Sequence, residues 1–592
     1  MRTMLVVAML VLAACATPTH DAPVTQAATP SERAAAPVPE GYVDDARCAG
    51  CHATLFESYR GVGMAQAMAK PRRETIIERL DAPFFHAPSQ RWYSMSWSGE
   101  RLLFRRWMGS TDGARSNEIE IPVDWIVGSG YRSRVYLYRT PSGELYQLPL
   151  AWYPQENAWG MAPGYDRADH DGVERPVRRE CLFCHNAYPA HSDGSDARWA
   201  PHTFPEAMPE GIGCQRCHGP GAAHIDAAVD TSSMDAVRRA IVNPARLEAK
   251  RRDDVCFQCH MLPAVEMIGV RRFDRGVWSF RPGELLSSYM LHVDIDEPSR
   301  ARDERFEINH HAYRLTQSPC YIQGGITCID CHDPHQPLRS DPRVAGANGV
   351  CLRCHAKHDV AEARTDDCVS CHMPRRRTQD VVHVVMTDHR IGVAPQGDLL
   401  APLAEREPDI TKLELVDAGA AGEHGEIYRA ITALRANGRN AAARAWLERV
   451  LPSTELDSPV PLLDLISAEL QQKRFAQAEQ LIATLPEAER ESPLVIGWNG
   501  IAKIGLGRTA DALIDLRRAA ALTPDSPDAL FNLGLVLHRT GAHAEALPLL
   551  TRALELRPTL VAALHARAAT LDALGRSDEA AHDRSRARAI RP

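Results

Sequence analysis

The sequence predicts a multidomain chain: a mostly irregular and helical region packed around bound cofactor and carrying a β-rich insert, followed by an all-α solenoid. Three observations predict this. Fourteen of the sixteen cysteines fall in seven copies of one five-residue string between residues 48 and 372. The long stretch between the first two copies holds six of the ten tryptophans and reads as paired strands. Past about residue 408 cysteine disappears, alanine and leucine dominate, and small residues recur every 34 positions. At 592 residues the chain has room for several domains.

The first element is a leader. MRTMLVVAMLVLAAC has a basic residue at Arg2, an apolar run too short to span a bilayer, and small residues running into Cys15. Leu12-Ala13-Ala14-Cys15 resembles the bacterial lipoprotein lipobox, so residues 1–15 are expected to be a lipoprotein signal peptide and Cys15 the lipidated residue. An ordinary secretory signal cut nearby is the alternative. Ala16, rather than Asp, resembles the sorting signal of outer-membrane lipoproteins. The expected location is therefore periplasmic and lipid-anchored, with the outer membrane ahead of the inner. Residues 16–41 are rich in Ala, Pro and Thr with almost no large apolar side chain, and read as a tether. No other apolar run reaches membrane-spanning length, so membrane contact is expected through the lipid alone. The formal net charge is -8, and nothing in the sequence suggests nucleic acid as a partner.

Residues 42–392 carry the seven strings, each Cys-x-x-Cys-His. The cysteine pairs are Cys48 and Cys51, Cys181 and Cys184, Cys214 and Cys217, Cys256 and Cys259, Cys328 and Cys331, Cys351 and Cys354, and Cys368 and Cys371; the histidines are His52, His185, His218, His260, His332, His355 and His372. Chance would give roughly 0.02 such strings in a chain of this composition. Two thiols at this spacing add to the two vinyl groups of one porphyrin, and the next histidine is then held against the iron, so the motif reads as covalent haem c, seven times over. A disulfide framework does not account for the spacing. Zinc sites use Cys-x-x-Cys pairs in twos and give no reason for a histidine after each; a thioredoxin-like redox site needs one pair.

Each iron keeps a sixth position, and what fills it separates electron transfer from substrate chemistry. Between residues 86 and 389 there are twelve histidines outside the motifs, more than seven sites need. The candidate distal ligands are Met64, His86, His170, His224, His292, His310, His311, His335, His383 and His389. His224 in CHGPGAAH and His335 in CHDPH follow a turn just after an anchor; of adjacent His310 and His311 one is expected to ligate and the other to donate a hydrogen bond. His383 and His389 are expected to reach haems anchored elsewhere in the sequence. Met64 would give His/Met ligation and a raised potential. Paired arginines, Arg178-Arg179, Arg271-Arg272 and Arg375-Arg376-Arg377, could meet haem propionates or stand as solvated surface charge. Cys320 is left over and reads as a buried, inert thiol.

The insert, about residues 86–165, contains RWYSMSWSGERLLFRRW and YLYRTPSGELYQLPL, each with strand-forming runs around a Ser-Gly turn. Its tryptophans, Trp92, Trp97, Trp107, Trp125, Trp152 and Trp159, are expected to pack a small sheet, with a docking surface as the alternative. After a linker at residues 393–423, residues 424–592 hold the repeat. Gly507, Gly541 and Gly575, Ala512, Ala546 and Ala580, Ala519, Ala553 and Ala587, and Pro524, Pro558 and Pro592 recur at 34 residues, the pattern of the tetratricopeptide repeat. The clearest copies are 493–526, 527–560 and 561–592; weaker pairs upstream bring the expected stack to about five helical hairpins. The last copy lacks an obvious capping helix, and the concave surface is expected to bind protein.

With the strings CHGPGAAH, CHDPH and CVSCHMP followed by TDHR, residues 42–392 resemble the multihaem cytochromes c of the cytochrome c-552/4 family, and the carboxy-terminal third resembles tetratricopeptide proteins. The resemblance implies a multihaem cytochrome fold and a kinship that includes electron carriers, nitrite reductases and hydroxylamine oxidoreductases. No CxxCK occurs, so the lysine-ligated haem of pentahaem nitrite reductases is absent. Met64 stands where relatives tend to have a histidine soon after the first anchor. The reading that follows is an exported heptahaem electron-transfer protein. Its expected partners are redox proteins (other cytochromes or a quinol-oxidising complex) and a protein held by the repeats. The alternative is an oxidoreductase with one open haem acting on a small nitrogen or sulfur species such as nitrite or hydroxylamine.

Overall fold

The computed structural model describes residues 38–111, 113–189, 191, 195–230, 233–261, 269–296, 298, 301, 304–355, 367–393, 395, 397–406 and 412–591. The expected signal peptide, Cys15 and most of the tether lie outside the described residues.

The aromatic insert folds as two antiparallel sheets. One runs β2 (Phe84–His86), β3 (Arg91–Ser98), β4 (Arg101–Gly109), β5 (Arg115–Pro122) in that order. The other is ordered β1 (Met68–Ala69), β6 (Trp125–Val127), β7 (Arg134–Arg139), β8 (Leu145–Tyr153), β10 (Arg175–Pro176), with β9 (Ala158–Met161) paired to β8. The β3–β4 turn pairs Ser98 with Arg101 around Gly99, whose φ of 57° lies in the left-handed region open to glycine. Along β3 burial alternates, placing Tyr93 and Met95 inward with Phe104 of β4. Trp107, Trp125 and Trp152 are buried, so much of the tryptophan content fills core.

Between residues 179 and 372 the described elements are mainly short helices separated by loops, six of them carrying part or all of a Cys-x-x-Cys-His string, with two strands, Gly269–Arg271 and Met290–Asp296, among them. The carboxy-terminal region is tetratricopeptide-like, five antiparallel helical hairpins. They are Gly425–Ala436 with Ala441–Val450, Val460–Gln471 with Phe475–Thr484, Pro493–Gly505 with Thr509–Leu522, Pro527–Arg539 with His543–Leu556, and Val561–Ala573 with Ser577–Ile590. The repeated alanines Ala512, Ala546 and Ala580 are fully buried where helices approach closely, and Gly507, Gly541 and Gly575 take positive φ in the turns.

The solenoid does not end free. Its last helix packs on β5, and the buried Arg106 of β4 donates Nη2 to the carbonyls of Ala589 and Ile590, 2.8 Å to the latter. Those carbonyls have no intrahelical partner, and a guanidinium at a helix C-terminus supplies one. Tyr93, Phe104, Tyr136 and Trp152 of the insert share one hydrophobic core with Leu530, Phe531, Leu556 and Ile590 of the repeats. Arg557 adds a charged seam, donating to Asp528 through Nη1 and Nη2, both at 2.7 Å, and to Glu144 before β8 through Nε at 2.8 Å.

One buried carboxyl in the solenoid gives a pH prediction. Glu469 is fully enclosed, 3.2 Å from Arg444 and 2.7 Å from Arg474. Burial, then the adjacent Glu448, push its carboxyl up to about 7 despite the two arginines. The folded chain thus holds this proton more tightly than the unfolded chain. The resulting stability is fully present below the ordinary value of 4.5 and is lost as pH rises through about 7. Circular-dichroism melts are expected to show a higher melting temperature for the repeats at pH 6 than at pH 8, and Glu469→Gln is expected to reduce that difference.

Candidate cofactor-binding site

In a helical turn residues three apart share a face, so Cys-x-x-Cys on a helix presents both thiols to one side. The strings lie on or at the ends of helices Ala46–Arg60, Arg179–Phe183, Gln215–His218, Ala249–His260, Cys328–Cys331, Ala347–Leu352 and Cys368–His372. Local residues fix the ends. Thr327 and Asp330 form a reciprocal capping box around the Cys328 turn, and Asp367 accepts from Ser370 N–H at the start of the Cys368 helix. Helix Ala46–Arg60 kinks at His52 (φ -116°, ψ 39°).

Anchors distant in sequence meet in space. The thiols of Cys48 and Cys214 are hydrogen-bonding neighbours, as are Cys184 and Cys259, Cys256 and Cys328, and Cys351 and Cys368. Asp45 ties the first of these pairs together. Its Oδ2 accepts from Cys214 N–H at 2.9 Å and its Oδ1 from Gln215 Nε2 at 2.9 Å, while Gln215 also bonds both Val43 N–H and Val43 O. Asp45, Cys48 and Cys214 come within 4.8 Å of one another. Because both cysteines belong to porphyrin-anchoring strings, this cluster is the junction of two anchors.

The histidines supply the sharpest geometry. An imidazole nitrogen binds a first-row metal at about 2 Å, and roughly 1 Å more reaches the ring centre, so one iron between two imidazoles sets their centres about 6 Å apart. His52 and His224 have ring centres 6.3 Å apart, His218 and His335 6.1 Å, and His332 and His389 6.3 Å, with interplanar angles of 14°, 19° and 28°. His260 and His311 are closer, 5.3 Å at 88°, and His311 also lies 4.8 Å from His389. Each of these four pairs joins a motif histidine to a histidine outside the motifs.

Second partners orient the rings. His218 Nδ1 meets Val242 O at 2.8 Å, His224 Nδ1 meets Val237 O at 2.9 Å, and His389 Nδ1 meets Thr387 O at 3.0 Å. His372 Nδ1 meets Gly392 O at 3.0 Å, and His335 Nδ1 lies 3.3 Å from Asp333 Oδ1. A carbonyl on Nδ1 fixes the tautomer and leaves Nε2 for metal. Burial lowers His218, His260, His311 and His332 and brings His389 down to about 4, so these rings stay neutral with a lone pair to give. The donor set fits haem iron ligated from both faces.

Other sequence candidates are placed elsewhere. His86 is bonded at both nitrogens, Nδ1 to Ser89 Oγ at 2.7 Å and Nε2 to Asp166 Oδ1 at 2.9 Å. His170 accepts from Gly172 N–H at Nδ1 and meets Tyr93 OH at Nε2, and burial with Arg91 and Arg106 lowers it to about 3. Both belong to a polar knot inside the insert. His310 Nδ1 accepts from Glu307 N–H and its Nε2 faces the Glu307 carboxylate, leaving the ligand geometry to His311. His383 is held by Glu156 at 2.9 Å and lies against Tyr153. His292 sits on strand Met290–Asp296 with Nε2 buried and unbonded; no motif histidine ring lies against it among the described residues. The ring that faces His52 is that of His224, and the Met64 carbonyl accepts from Ala67 and Ile212.

The arginine pairs find protein acceptors. Arg271 pairs with Glu180, Arg272 donates to Ala420 O, Arg376 to Asp388 and Arg377 to Val382 O, while Arg179 binds the carbonyls of Ala200, Pro201 and Thr203. Sequence reasoning passed over Asp45 and Arg314, whose roles depend on partners far along the chain. Cys320 is half-buried on the short helix Pro319–Ile322.

Two family profiles match: "Doubled CXXCH motif" over residues 322–360 and "Tetratricopeptide repeat" over residues 499–560. The first points to covalently bound haem c, the second to protein–protein contact. Among solved structures, one described as "Crystal structure of MamA" aligns at 22% identity over 26% of this chain and 91% of its own, TM-score 0.24. A second MamA structure (AMB-1) aligns at 24% over 28% and 88%, TM-score 0.24. YrrB, described as "a TPR protein with an unusual peptide-binding site", aligns at 19% over 30% and 93%, TM-score 0.24.

Proposed function

We propose that this chain is an exported c-type cytochrome that transfers electrons through seven covalently bound haems, with a repeat domain that makes protein contacts. The observation that carries the reading is the set of three facing imidazole pairs, each of a motif histidine with a distal one at the separation one iron requires, with His260 and His311 edge-on beside them. Covalent haem supplies a one-electron couple at each anchor. The chain's residues do the rest. Cysteine pairs fix each porphyrin edge, carbonyls at Val237, Val242 and Thr387 hold distal and proximal rings in one tautomer, and burial keeps protons off His218 and His389.

Contiguity of the anchors supports relay. Cys48 neighbours Cys214, Cys184 neighbours Cys259, Cys256 neighbours Cys328, and Cys351 neighbours Cys368, so anchors distant in sequence adjoin in pairs. We place the protein in the periplasm, tethered through lipidated Cys15 to the outer membrane ahead of the inner. Its electron partners are other cytochromes or a quinol-oxidising complex. The alternative, an open haem acting on nitrite or hydroxylamine, loses its first candidate now that His224 faces His52.

Electron paramagnetic resonance of the oxidised protein, read with a haem-to-protein ratio, tests this. The expected result is seven haems per chain with low-spin signals dominant. A spectrum dominated by five-coordinate high-spin iron overturns the carrier reading, and one high-spin haem that shifts with nitrite, hydroxylamine or cyanide selects the alternative.

A further inference from the structure

Asp464, Trp498, Asn532 and Ala566 stand 34 residues apart on the first helices of the second to fifth hairpins. Equivalent positions of a helical-repeat stack line one surface, rung after rung. On the first two rungs sit consecutive residues of the haem-anchor region. Arg198 Nε donates to Asp464 Oδ1 at 2.8 Å, and the Trp199 ring meets Trp498 edge-on with centres 5.1 Å apart. Arg435 Nε satisfies the other Asp464 oxygen at 2.9 Å. Asn532 and Ala566 are 1% and 6% exposed, so the surface is covered along its length.

The segment that supplies Arg198 and Trp199 is neither helix nor sheet; from Ser195 to Ala200 it runs as turns and bends, and Pro201 and His202 continue it without regular structure. A short irregular stretch offering an arginine and a tryptophan to a groove has the form of a peptide ligand, and these two side chains dominate binding hot spots. We infer that the repeat ladder is a peptide-binding surface whose ligand is carried in the same chain: Asp464 reads the guanidinium of Arg198 and Trp498 the indole of Trp199. The ligand segment is tied in turn to an anchor. Arg179, two residues before Cys181, donates to the carbonyls of Ala200, Pro201 and Thr203. Occupancy of the ladder therefore reaches the Cys181–His185 site through one side chain.

The test uses the full-length, haem-loaded protein and a fluorescent peptide spanning residues 195–202. Arg198→Ala with Trp199→Ala empties the ladder. Fluorescence anisotropy is expected to show at least tenfold tighter peptide binding to this variant than to the wild type, and Asp464→Asn added to it is expected to abolish that gain. Hydrogen exchange in helices Val460–Gln471 and Pro493–Gly505 is expected to speed up at least tenfold in the double variant and to slow again when peptide is added. Unchanged exchange in helix Pro527–Arg539 and an unchanged Soret band show that the variant is folded. Equal binding to both proteins, binding to neither, or exchange within twofold of the wild type overturns the inference.

Discussion

Replacing His389 by alanine is expected to convert one haem from low spin to high spin while His383→Ala changes nothing in the spectrum. The two histidines lie six residues apart and are equal candidates in sequence. In the structure His389 stands 6.3 Å from His332, centre to centre, with Nδ1 on the Thr387 carbonyl, whereas His383 is bonded to Glu156 and lies against Tyr153. Removing the first would leave the proposed Cys328–Cys331 haem with His332 alone; removing the second costs one hydrogen bond to Glu156 at the half-exposed edge of the insert. Electron paramagnetic resonance and magnetic circular dichroism of the oxidised variants measure this. The expected change is complete loss of one low-spin signal in His389→Ala. Loss in His383→Ala instead would invert the assignment.

The second large effect lies at Arg314. Its guanidinium is fully buried and gives two parallel bonds to Asp388, Nε to Oδ1 at 2.8 Å and Nη2 to Oδ2 at 2.7 Å, with Arg376 adding a third at 3.0 Å. Arg314 is three residues beyond His311 and Asp388 is one before His389, so this pair fastens two distal ligands to each other. Arg314→Met leaves the buried Asp388 carboxylate with only Arg376 and the Arg390 N–H as partners, a loss that approaches but stays below the about 3–5 kcal/mol of a buried pair broken with no partner left. An exposed pair such as Arg518–Glu491 is screened by solvent and contributes little. Thermal unfolding followed at the Soret band is expected to shift markedly for Arg314→Met and to stay near the wild type for Arg518→Met. The first variant should also weaken ligation by both His311 and His389.

What could be read from the sequence was local. A Cys-x-x-Cys-His string carries its chemistry within five residues, a hairpin such as the one around Gly99 within about twenty, and a repeat announces itself by its period; the anchors, the β-rich insert and the repeats were therefore legible. The partner of each iron was not. His52 with His224 and His218 with His335 are joined across more than a hundred residues, and nothing in a single sequence encodes that pairing. His170 and His224 look alike as letters. They differ in that Gly172 and Tyr93 have claimed the nitrogens of one while Val237 orients the ring of the other. The same limit hid the protein acceptors of the arginine pairs, Glu180, Ala420 and Asp388, and the contact of Arg106 with the end of the solenoid.

That contact has a kinetic consequence. The insert is made before the repeats, yet its core closes on Leu556 and Ile590, far downstream. Roughly 470 residues separate Pro122 from Ile590, which at about 5–20 residues per second is about 20 to 90 seconds of synthesis. For that interval the tryptophan-bearing strands wait with an apolar face uncovered. Helix Ser577–Ile590 is thus the latch that ends this exposure to aggregation.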